Sequence, residues 1–273
     1  MAGILTHLVC SLLYTLLAVY FWRTRWHVGA AAVAVTPKAW EHHAVLAPFA
    51  LHTLLIYHSA FGSHGLYLGL GNAVSLIIWL AVAIYWLGGL IYRLEGLQAL
   101  VLPLAAVAAL LPLAFPSQHP LPNTEMFAFK AHLLIAMLAY GLFTIASLHV
   151  LLMALMERRL HGGTLPPVLS TLPPLLTMET LLFQMIGAGF VLLTLTLASG
   201  ILFSEELFGK PLTFNHKTVF AILSWLVFGA LLTGRIAYGW RGRTAMRWTL
   251  AGFLMLVLAY IGSKFVLEVI LHR

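Results

Sequence analysis

Thirteen histidines and no aspartate in 273 residues set the chemical possibilities of this chain. Neutral imidazole binds metal ions and heme iron and titrates near neutral pH, so a surplus of it points to ligation or proton transfer. Eight glutamates are the only acids. That removes aspartate-based phosphoryl transfer, aspartic dyads and aspartate-rich cation sites. No Ser-His-Asp order, phosphate-binding loop or zinc-helix motif occurs either. The one cysteine, Cys10, lies in an apolar run. It offers no intrachain disulfide, no CxxC redox pair and no CxxCH heme attachment, and reads as a small buried hydrophobe.

Two histidines stand out by their setting. His132 occurs in FAFKAHLLIAMLAYGLFTIASLHVLLM, in the first turns of a long apolar helix and just past Lys130. A histidine beside a cation at the mouth of a membrane span suits an anionic ligand such as a heme propionate. His149 follows 17 residues later, about 25 Å along the same helix, too far to share one iron. His216 opens another apolar run in FNHKT and enters the membrane at the same face as His132. The two could clamp a flat cofactor, with Lys130, Lys210 and Lys217 offering charge to its carboxylates. An equally weighted reading is that Thr213 or Asn215 caps the helix and Lys217 marks the interface. His52, within a span, and His272, at the chain end, are lesser ligand candidates. His42, His43 and His161 read as solvated residues near basic loops, and His64 and His119 as loop residues.

The elements that must position these groups are membrane helices. The chain is 62% hydrophobic and 8% charged, with mean hydropathy +0.97, more apolar surface than a soluble domain of this size can hide. Runs long enough to span, about 20 residues each, fall near residues 4–22, 40–59, 66–92, 96–115, 128–156, 180–203, 217–238 and 248–270. Pro48 is placed to kink the second. The Pro-rich stretches PSQHPLPNTEM and HGGTLPPVLSTLPPLL separate spans as loops. The expected fold class is therefore all-α, a polytopic membrane protein of about eight transmembrane helices forming one integral-membrane domain over residues 1–273. The first run is too long for a cleaved signal and no small-residue cleavage site precedes its arginines.

Alternate loops hold ten of the fifteen basic residues, including Arg23, Arg25, Arg158, Arg159, Arg241 and Arg243. The positive-inside rule puts them in the cytoplasm and both termini on the outer, periplasmic side of a bacterial inner membrane. Since these cations sit in short loops and not on a soluble face, a nucleic-acid partner is excluded. Lys264 and Glu268, one turn apart in the last span, should pair or face the interior. A structural ion pair is favoured over a proton or ion path. Asn72, Gln184, Thr194 and Thr196 read as interhelical hydrogen-bonding groups.

KTVFAILSWLVFGALLTGR, GWRGR and GFLMLVLAYIGSKF resemble the last two spans of the cytochrome c assembly superfamily of CcsA, CcmC and HemX-type proteins. KAHLLIAMLAYGLFTIASLHVLLM resembles its span bearing an outward-facing heme-ligand histidine, and VLLTLTLASGILF the span before its heme-handling loop. The likeness covers essentially the whole chain, more strongly from about Met126, and is nearest to the YpjD/HemX-like inner-membrane branch. It implies a fold that receives heme and presents it at the outer face to a cytochrome c assembly partner, without bond-making catalysis. Carried over by position, His132 matches the first outer heme ligand, and His272 stands one place from the second. His216 falls where the family has a proline, and Thr233 where it has a membrane-facing histidine. SEELFGKPLTFNHKT lacks the tryptophans that the family carries before this span. Two other readings remain: a small transporter or transport accessory for divalent cations using Lys264, Glu268 and His52, or a regulatory scaffold with no ligand.

Overall fold

The computed structural model describes residues 2–26, 39–62, 65–92, 94, 96–117, 119–121, 124–161, 173–202 and 215–271. Among them the chain is a succession of apolar helices: α1 (Ala2–Phe21), α2 (Ala39–His43), α3 (Leu46–Ala60), α4 (Leu70–Gly89), α5 (Gln98–Ala108), α6 (Leu111–Ala114), α7 (Phe127–His161), α8 (Leu175–Leu202), α9 (His216–Tyr238) and α10 (Gly242–Val257). Six are long and apolar enough to cross a membrane, the last by running on to Ile270. The expected fold class holds, and an apolar helix occupies each of the eight expected runs. Two fall short of a full span, α3 with 15 residues and the α5–α6 pair over Gln98–Ala114.

The departures in boundary have local causes. Pro48 sits in the first turn of α3, where its missing N–H costs no helical hydrogen bond. The chain bends before it, at Ala44–Val45, so Pro48 is not the kink that sequence indicated. Span four is two helices because Pro112 cannot donate to the carbonyl of Ala108, where α5 stops. The third span begins at Leu70 and not Leu66 because Phe61–Gly62 (β1) pairs antiparallel with Gly65–Leu66 (β2). Gly65, at φ 128°, supplies the backbone conformation that this small turn needs.

The centre of the bundle is α7, which packs most extensively on α8 and α4 and also meets α10. Its core contact is a stack of Phe143 on Phe228 of α9, centroids 4.0 Å apart. Two glycines bracket that pair. A Cβ on Gly189 of α8 would lie 2.8 Å from Phe143 Cζ, and one on Gly252 of α10 would lie 2.8 Å from Phe228 Cζ. Close approach through small residues is how helices gain packing where lipid removes the hydrophobic drive. A second group, α1 with α3 and α5, joins through α4.

One end of the bundle carries a charged node. Glu179 of α8, nearly buried, accepts from Arg235 of α9 at 2.7 Å and from the Gly242 backbone N–H at 2.9 Å. The carboxylate therefore caps the N-terminus of α10, where an anion is favoured, while pairing a cation in the last turn of α9, where a cation is favoured. Arg235 also lies over the Phe183 ring, 4.5 Å from its centroid. Trp240 fills the turn, donating its backbone N–H to the Gly234 carbonyl and packing on Trp248.

Candidate functional site

At the opposite end, the start of α7, the end of α8, the start of α9 and the continuation of α10 come together. His132, half-buried in the second turn of α7, places Nδ1 2.8 Å from Ser199 Oγ of α8. The Ser199 hydroxyl lies 3.1 Å from the Thr196 carbonyl and donates to it. A hydroxyl has one proton, so with that proton on Thr196 the serine oxygen accepts from His132 Nδ1–H. The neutral ring then carries its lone pair on Nε2, the nitrogen that ligates when the other is held by a hydrogen bond. Gly200 lies against the same imidazole, where an added Cβ would be 3.4 Å from His132 Cε1.

Lys217, in the first turn of α9, is within electrostatic range of His132. Its ammonium sits over the Tyr260 ring, 5.2 Å from the centroid. Tyr260 belongs to Leu258–Gly262, a π-helical turn that continues α10, a distortion frequent at functional sites. Tyr140 packs against Tyr260 at 5.9 Å and donates its hydroxyl to the Leu256 carbonyl at 2.9 Å, fixing the widened turn to α7. Asn215 caps α9 by accepting from the Thr218 N–H at 3.0 Å, and Thr213 falls outside the described residues. The site is thus one imidazole, one ammonium and an aromatic wall, on four helix ends.

Lys264 and Glu268 form the expected pair at 3.0 Å. Glu268 does more: its second oxygen accepts from the Leu70 N–H at 2.7 Å and so caps α4, while Ser117 Oγ accepts from the neighbouring Gly69 N–H. The end of the chain is thereby tied to the start of α4.

Other sequence candidates lie elsewhere. His216 is exposed at the start of α9. Lys130 is 59% exposed and lies 3.9 Å from Glu125. His52 is fully enclosed between α1, α3 and α4, with Nε2 2.9 Å from Ser75 Oγ and Nδ1 3.5 Å from Tyr14 Oη, a core polar contact and not an outer-face group. His149 is also buried, Nε2 donating to the Met178 carbonyl at 2.9 Å. His272 and Lys210 fall outside the described residues. Of the expected interhelical groups, Asn72 donates to the Ser59 and Tyr67 carbonyls and Thr194 accepts from Trp225 Nε1. Thr196 instead bonds within its own helix, to Leu192, as Thr233 does to Gly229.

Sequence reasoning missed Ser199 and Tyr260. The Ser-Gly pair in LASGILF hints at close contact but does not say with which helix. Among the described residues no three histidine, cysteine or acidic side chains gather to hold a metal ion. A bare divalent ion takes four or more ligands, commonly three or four of them from protein. A single imidazole with a facing cation and aromatic walls suits an iron that brings its own four nitrogens and carboxylates.

The fold and site together define a multi-pass helical membrane protein with a histidine-bearing mouth at one end of the bundle. A family model described as cytochrome C assembly protein matches residues 40–271, so the chain belongs to the cytochrome c assembly protein family. It is 32% identical to the inner membrane protein YpjD of Escherichia coli over 209 residues, covering 74% of this chain and 75% of that protein. An uncharacterized 28.8 kDa protein of Azospirillum brasilense is 32% identical over 212 residues, 73% of this chain and 77% of its own. The cytochrome c biogenesis protein CcsA of Prochlorococcus marinus is 39% identical over 88 residues, 32% of this chain and 28% of that protein. No solved structure matches. Family membership, the YpjD likeness and six crossing helices make this a multi-pass inner-membrane protein.

Proposed function

We propose that this chain binds heme at the His132 mouth and presents it to a partner during cytochrome c assembly. The observation that carries the reading is the Thr196–Ser199–His132 chain of hydrogen bonds, which leaves the imidazole lone pair on Nε2 in a protein of this family. His132 Nε2 would ligate the iron of a bound heme, and Lys217 would offer a counter-charge to one of its carboxylates. Tyr260 and Gly200 would flank the bound group. Heme supplies the iron and its porphyrin nitrogens. The chain contributes an oriented ligand, a neutralised carboxylate and a low-dielectric surface, three levers that set an iron's ligation and potential. The basic bias of the opposite end supports an outer, periplasmic position for this mouth.

The cation-transport reading loses its residues in this fold. Lys264 and Glu268 hold each other and α4, and His52 is closed inside the α1–α3–α4 core.

The test is a heme titration of the purified protein followed by Soret absorbance, beside His132→Ala and His52→Ala. Wild type and His52→Ala give saturable binding with a ligated Soret band, and His132→Ala loses most of it. Absence of binding by wild type, or equal binding by His132→Ala, would overturn the proposal.

A further inference from the structure

A groove of about 440 Å³ runs along the outside of the bundle between α1 and α5, far from the His132 mouth. Its floor is small, Ala18 with Ala99 and Ala106, and its rims are Thr15 and Val107, both exposed. At one end stand Trp22 and Arg23. Arg23 is exposed and makes no ion pair among the described residues. The other end closes near Ser11 and Leu110.

The dimensions select an occupant. Ser11 to Arg23 is about 18 Å at 1.5 Å per residue, against about 15 Å for half of the roughly 30 Å hydrocarbon core. A crossing helix of a partner would need a groove of twice that length. An acyl chain needs this one. Trp22 and Arg23 sit where a headgroup would be, the level at which tryptophan and basic side chains anchor to lipid. We propose that this groove is a specific site for an anionic phospholipid of the leaflet in which Arg23 lies. One acyl chain fills the α1–α5 groove, and the Arg23 guanidinium holds the phosphate.

The experiment uses the full chain in detergent. Binding of phosphatidylglycerol and of phosphatidylcholine with the same acyl chains is read by native mass spectrometry and by the shift in Tm. Wild type prefers the anionic lipid about fivefold, as expected for one cation at the membrane surface. Arg23→Gln abolishes the preference, and Thr15→Phe, which fills the groove from its exposed rim, weakens both lipids. Either variant changes an exposed side chain, so the lipid-free Tm stays near that of wild type. Equal binding of the two lipids by wild type, a preference that survives Arg23→Gln, or lipid binding indifferent to Thr15→Phe would overturn the proposal. So would a Tm shift reproduced by inorganic phosphate alone.

Discussion

Replacing Ser199 by alanine isolates the device on which the heme reading turns. The hydroxyl joins two helices, accepting from His132 Nδ1–H at 2.8 Å and donating within α8 to Thr196 at 3.1 Å. Its loss removes one interhelical hydrogen bond, worth about 0.5–1.5 kcal/mol, and leaves no large cavity, so the protein stays folded. The effect on ligation is larger. An imidazole without its partner rotates and samples both tautomers, and loss of such a partner typically costs 10–100-fold in affinity for the bound metal. Heme titration therefore gives Ser199→Ala a dissociation constant about 10–100 times that of wild type, while Ser199→Thr, which keeps a hydroxyl, stays close to wild type. Nitrogen-15 NMR of histidine-labelled protein without heme reads the tautomer directly and must show Nδ1 protonated at His132. If Ser199→Ala binds heme like wild type while His132→Ala does not, the imidazole ligates but the serine does not position it. If the heme-free protein has Nε2 protonated, the hydrogen-bond assignment itself is wrong.

Other expectations concern the frame. Gly189→Val forces a side chain into Phe143 and costs about 1–3 kcal/mol by overpacking, whereas Gly187→Val, with nothing within 4 Å of its Cβ, leaves Tm nearly unchanged; equal shifts would refute the bracketed-phenylalanine core. Glu179→Ala strands the partly buried Arg235 and lowers stability by about 3–5 kcal/mol. Glu157→Ala, which loses the exposed ion-pair partner Arg243, costs under about 1 kcal/mol, so comparable denaturation midpoints for the two would contradict the node. Glu268→Ala removes both the α4 cap and the Lys264 partner and costs about 1–2 kcal/mol, read as faster proteolysis or exchange at Gly69–Gly71. An unchanged protection there would show that the chain end is not tied to α4.

Much of the frame was legible because membrane helices announce themselves by run length. The eight apolar runs, the Lys264–Glu268 pair at i, i+4 and a cap at Asn215 or Thr213 followed from local chemistry alone. The errors were also local. Pro48 was read as a kink because its distance from the true helix start depends on where Trp40–His43 ends. The paired strands Phe61–Gly62 and Gly65–Leu66 have two residues each, too few to show strand periodicity. At the site, His132 was visible because a cation precedes it on the same helix. Ser199, Tyr260 and the exposure of His216 were not, because each depends on the rotation of one helix against another. A helix turns 100° per residue, so an imidazole one position off faces lipid or solvent instead of the mouth. His52 shows the converse: its sequence setting was that of a ligand within a span, yet α1 and α4 close over both ring nitrogens.

Ligation of heme iron by His132 Nε2 underlies the proposed function. It is tested most directly by resonance Raman spectroscopy of the ferrous heme complex, using protein labelled with nitrogen-15 histidine, beside His132→Gly with and without added imidazole. Wild type is expected to show an iron–histidine stretch that shifts with the isotope, is lost in His132→Gly and returns with imidazole. A stretch that persists in His132→Gly without imidazole would place the iron on another residue and overturn the proposal.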